Sequence, residues 1–61
     1  MEMHPTKDAT GNKLWLVYID TRFVGHVQPV RGGWVFFDSN GDVTAADTTL
    51  EGAARLGVDL V

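Results

Sequence analysis

The dipeptide Asn40-Gly41, set between "WVFFDS" and "DVTAA", constrains the fold of this chain more than any other feature. Both residues tolerate the positive φ of a type I′ turn, and an Asn-Gly pair between strand-like runs is the strongest short-range hairpin signal a sequence carries. A two-residue turn sets the register, so that Ser39 faces Asp42, Phe37 faces Thr44 and Phe36 faces Ala45. A large residue opposite a small one leaves room for another element to lie over the hairpin.

The same loop offers oxygen donors at alternate positions, Asp38, Asn40 and Asp42, the hard ligands that Ca²⁺ prefers. The rest of the calcium pattern is missing. An EF-hand loop places its glycine directly after the third ligand and a bidentate carboxylate at the twelfth position. Here Val43 follows Asp42, and Thr49 is twelfth from Asp38. A turn without metal is the expectation, and no cofactor is expected elsewhere.

Upstream, "KLWLVYID" is rich in aromatic and β-branched residues that suit a pleated surface, and Asp20-Thr21-Arg22 offers a reversal into "FVGHVQPV". Pro29 lacks an N–H, so the second strand is expected to end there or to lie with that position on an edge. Arg31-Gly32-Gly33 supplies the next turn before "WVFFDS". The stretch 13–47 therefore reads as an antiparallel meander of three to four strands. Residues 1–12 are polar, with Pro5 and a turn-like Thr10-Gly11-Asn12, and form either a frayed arm or a short first strand.

The period then changes from two to helical. Thr48-Thr49-Leu50-Glu51 matches a capping box between Thr48 and Glu51. Leu50, Ala53 and Ala54 recur at helical spacing, and Gly57 fits the left-handed residue that commonly follows a helix. One short helix, about Thr49 to Leu56 within the segment 48–57, is expected to pack on one sheet face, with 58–61 as a tail. The fold class is α+β, and the chain forms one small domain.

A chain of 61 residues is small enough that burial alone stabilises it only marginally, and with no cysteine neither disulfides nor thiolate zinc sites can add to the core. Such chains often lean on association. A net charge of −3 from eight acids and five bases argues against nucleic acid and anionic membranes as partners, because phosphate binding is driven by Lys and Arg. The N-terminus lacks an apolar signal region and no segment approaches a membrane span, so a soluble, cytoplasmic, unexported protein is expected.

Alternation along the second strand sets Phe23, Val27 and Pro29 with Gly25 on one side, and Arg22, His26 and Gln28 with Val24 on the other. The first set is the better core, joined by Trp15, Val17, Ile19, Trp34 and Phe36 under the helix. One short helix cannot cover a second face. The other face carries Leu14, Leu16, Tyr18, Val24, Val35 and Phe37 beside His26 and Gln28, where a solvated sheet would alternate to polar residues. Such an apolar stripe marks a contact surface, the alternatives being that the two faces are inverted or that the N-terminal arm folds across this one.

Catalytic chemistry finds little to work with. Ser39 sits in the proposed turn without a neighbouring base, His26 lies among apolar neighbours, His4 lies beside Pro5, and Asp38 and Asp42 straddle a turn instead of lining a cleft. Gly32-Gly33 opens no helix that could present amides to phosphate. Trp34 could stack a base, but the alternation makes it a core anchor.

The order "YIDTRFVGHV", "GGWVFFDSNGDV", "TTLEGAARL", spanning Leu14 to Leu56, resembles the three-strand-plus-helix arm-type DNA-binding domain at the N-terminus of phage tyrosine integrases, and small phage-type orphan proteins of the same pattern. The resemblance implies DNA binding through the exposed sheet face. Leu16, Val24, Val35 and Phe37 are apolar where a DNA-reading sheet needs Arg, Lys or Asn, leaving Arg22, His26 and Gln28 to address a groove. The expectation is therefore a non-enzymatic module that binds itself, as a homo-oligomer, or a larger protein. It would be a phage-type accessory protein of the host cytoplasm, with no small-molecule substrate; a DNA-binding accessory domain is the alternative.

Overall fold

The computed structural model describes residues 1–61. Five strands, β1 (Glu2–Lys7), β2 (Lys13–Ile19), β3 (Arg22–Val30), β4 (Gly33–Asp38) and β5 (Val43–Asp47), form one antiparallel sheet in sequence order, followed by a helix, α1 (Leu50–Leu60). The α+β class and the meander match the sequence reading, but the sheet has five strands instead of three to four. The extra one is β1: the polar N-terminus pairs with β2 along its length, from Glu2 opposite Tyr18 to Lys7 opposite Lys13. Pro5 is tolerated because β1 is an edge strand, where a missing N–H costs no ladder bond and blunts pairing with other chains.

The hairpin at Asn40-Gly41 is present with a different turn. The Gly41 N–H donates to the Asp38 carbonyl at 2.9 Å and the Asp38 N–H donates to the Asp42 carbonyl at 2.9 Å, which makes a three-residue loop. Gly41 alone adopts positive φ, at 87°, so this is a tight turn closed by a glycine bulge instead of type I′. Asp38 sets the choice, because its Oδ1 accepts from the Asn40 and Asp42 amides at 2.9 and 3.0 Å. The β1–β2 loop repeats the device: Asp8 Oδ1 accepts from the Thr10 and Asn12 amides, and Gly11 closes the loop at φ 86°. In β5 Thr44 then bulges, so Phe37 faces Val43 and not Thr44, while Phe36 faces Ala45 as expected.

Two shifts alter the helix. Its N-cap is Thr49, one residue later than the expected box: Thr49 Oγ1 accepts from the Gly52 amide at 2.9 Å and donates to Asp47 Oδ2 at 2.9 Å. Asp47 holds that hydroxyl and the Thr49 amide, which frees Glu51 to pair with Arg55 at 3.7 Å on the solvent side. Gly57 does not end the helix. It lies inside it, buried, where a Cβ would overlap the ring of Phe36. The helix runs on through Val58 to Leu60, so 58–61 is no separate tail, and its inward stripe is the buried Ala53, Ala54 and Gly57 flanked by half-buried Leu50 and Val58.

The helix lies over β3, β4 and β5. The core between the layers is Val17, Val24, Val27, Phe36, Ala53 and Ala54, fringed by Met3, Ile19, Trp34, Ala45, Leu50 and Val58. Phe36 is its largest fully buried side chain, held in a slot between Gly25 of β3 and Gly57 of α1, because a Cβ at either glycine would strike the ring. In an open helix interior a Gly to Ala change gains about 1 kcal/mol. Here overpacking costs about 1–3 kcal/mol, so Gly57→Ala is expected to lower Tm, by on the order of 10 °C if the loss reaches about 2 kcal/mol. Thermal circular dichroism checks the sign; a rise in Tm would mean that the helix does not seat on Phe36.

Candidate interaction face

The side of the sheet away from α1 is covered by no element. Across its middle runs one transverse row contributed by all five strands: His4, Leu16, His26, Phe37 and Val43, each the cross-strand partner of the next. Below it stand Glu2 opposite Tyr18 and Tyr18 opposite Phe23; above it stand Thr6 opposite Leu14 and Gln28 opposite Val35. Aromatic contacts tie the rows together. The His26 ring stacks on Phe37 with centroids 4.9 Å apart and planes 10° apart, while Tyr18 meets His4 and Phe23 edge-on at 5.5 and 5.6 Å. Leu14, Leu16, Tyr18, His26, Gln28, Val35 and Phe37 are half-buried, each shielded sideways by its neighbours although nothing lies above them.

Seven of the eight residues expected on this face are there. Val24 is the exception. Val17 pairs with Gly25 and Tyr18 with Phe23, so Val24 is an extra, bulged residue, and it turns into the core with 6% of its surface exposed. The same bulge inverts the alternation before it. Phe23, expected in the core, joins Tyr18 on the open face and is 39% exposed, and Arg22 moves to the helix side opposite Ile19. Simple alternation missed Phe23 and also Val43, which is 68% exposed beside Phe37. Gly25 was the available signal, because an isolated glycine inside a strand marks a bulge or a close approach.

The electrostatics of the face follow from the register. Lys7 and Lys13 face each other on the helix side, where the Lys13 ammonium lies 5.2 Å from the centre of the Trp15 ring. Arg22 is also on that side, Arg31 is in the β3–β4 turn and Arg55 is on α1. None of the five cations projects from a strand onto the open face. Its one strand carboxylate, Glu2, lies at its corner, 3.3 Å from His4 Nε2. The two carboxyls held below their ordinary range belong elsewhere: Asp8 through the Thr10 hydroxyl and the Asn12 amide, and Asp47 through the Thr49 hydroxyl and amide.

The concavities are shallow. One, of about 320 Å³, lies on the open face between Glu2, His4, Leu16 and Tyr18; a larger one, of about 460 Å³, opens at the sheet corner between Arg22, Phe23, Asn40 and Leu60. No group of three or more His, Asp or Glu side chains is placed to hold a metal ion, and no helix is long and apolar enough to cross a membrane. In comparisons with known proteins, no family model, no curated protein and no solved structure matches this chain.

Proposed function

We propose that this chain is a non-enzymatic protein-binding module whose contact surface is the open sheet face centred on Leu16, His26 and Phe37. The observation that carries the reading is the continuous row of Leu16, His26, Phe37 and Val43 on a face that nothing covers, in a fold whose one helix is spent on the other side. Exposed apolar patches of this extent mark interaction sites. Aromatic residues with a polar tip, here Tyr18 and the His26–Phe37 stack, suit a surface that is wet when free and dry when bound. The histidines serve as packing elements of that surface and neither stands beside a nucleophile.

The charge layout weighs against the DNA-binding alternative, which needs cations where this face has none. A photo-reactive phenylalanine analogue at position 37, compared with one at position 55 on the helix, tests the reading in cells that express the chain. Protein adducts at 37 and none at 55 are the expected result. Adducts to nucleic acid at 37, or none at either position, would overturn it.

A further inference from the structure

We infer that the occupant of this face is a second copy of the chain, packed sheet to sheet about a two-fold axis running along β3. The inference rests on the proposal that the face is a protein-contact surface, and it names the partner.

Three observations favour a copy over a dissimilar protein. The central row of the face carries neither a carboxylate nor a strand cation, and the acids near it, Glu2 on β1 and Asp20 in the β2–β3 turn, stand at one end, so the middle of the face asks for no oppositely charged partner. Its shape is that of a five-stranded antiparallel sheet, and two such sheets pack face to face with their strand directions within about 30° of each other and side chains interdigitating across about 10 Å. Its size is sufficient for a weak, reversible dimer. Five strands about 4.8 Å apart and about 20 Å long give a footprint of roughly 480 Å², and two copies bury about 1,000 Å², the lower bound for specific association.

The axis follows from the row. β3 is the middle strand, and His26 stands on it between Leu16 and Phe37. Rotation about β3 exchanges the two flanks, which lays Leu16 against Phe37 of the second copy and Phe37 against its Leu16. The two His26 rings meet near the axis.

Sedimentation of the purified chain at neutral pH, from about 5 μM to about 1 mM, tests the association over the range expected of so small an interface. The mass is expected to double with a midpoint on the order of 100 μM. The chain has no cysteine of its own, so single cysteines report geometry cleanly. Mixing Leu16→Cys chains with Phe37→Cys chains and a short bismaleimide should give more cross-linked dimer than either variant alone, with none from Arg55→Cys. A chain still monomeric at about 1 mM overturns the inference, and if position 37 still photo-links to another protein the broader proposal stands. A dimer that links through position 55 and not through 16 and 37 overturns both the axis and the face.

Discussion

Replacing Phe36 by alanine is expected to unfold the domain at room temperature. Removing a fully buried phenylalanine side chain costs about 3–5 kcal/mol, the upper end applying where the surroundings cannot close over the space. At Phe36 they cannot, because the ring lies between Gly25 and Gly57, which have no side chains to move inward. A chain of this length has a total stability of roughly 3–9 kcal/mol at the usual 0.05–0.15 kcal/mol per residue. At the upper end the loss is thus from about half of the total to more than all of it. Far-ultraviolet circular dichroism of Phe36→Ala should show a largely unfolded chain or a melt beginning near room temperature. A Tm within a few degrees of the parent would mean that the ring is not the centre of the core.

That slot also shows what the sequence could and could not tell. Trp15, Val17, Ile19, Trp34 and Phe36 were legible as core-side residues because strand alternation holds along β2 and β4. Alternation failed in β3, where one bulge at Val24 exchanged the faces of Phe23 and Val24, and in β5, where the bulge at Thr44 slid Val43 under Phe37. A bulge is a single extra residue, so one local event inverts every assignment on one side of it.

The glycines misled in a related way. Gly57 carries a helix-ending signature, but tertiary packing overrode it: the helix continues because a residue without Cβ is what lets it approach the Phe36 ring. No local pattern within 50–60 contains that information, since the ring lies in a strand some twenty residues earlier. The first strand was ambiguous for the opposite reason. Its residues, EMHPTK, are polar and include a proline, and they form a strand only because β2 offers a free edge.

One position along from Phe36, the opposite outcome is expected. Phe37→Glu should leave the domain folded while abolishing the self-association proposed for the open face. The side chain stands on the open face, in contact with His26 and Val43 and beneath no other element. Its loss forfeits an aromatic stack of about 0.5–1.5 kcal/mol, so the circular dichroism spectrum should be unchanged and Tm should fall by roughly 2–12 °C. In the dimer the same carboxylate would be buried against Leu16 of the second copy without a cation, because no Lys or Arg projects from that face in either copy. An unpaired charge in such a place costs several kcal/mol, and since each 1.4 kcal/mol is tenfold, association should weaken by at least about 100-fold, leaving a monomer throughout a sedimentation series. Leu16→Glu should behave alike, whereas Val17→Glu, one residue away and fully buried, should unfold the chain. If Phe37→Glu unfolds instead, that face is already covered within the monomer. If it folds and still dimerises, the copies meet elsewhere, on the helix or at an edge strand.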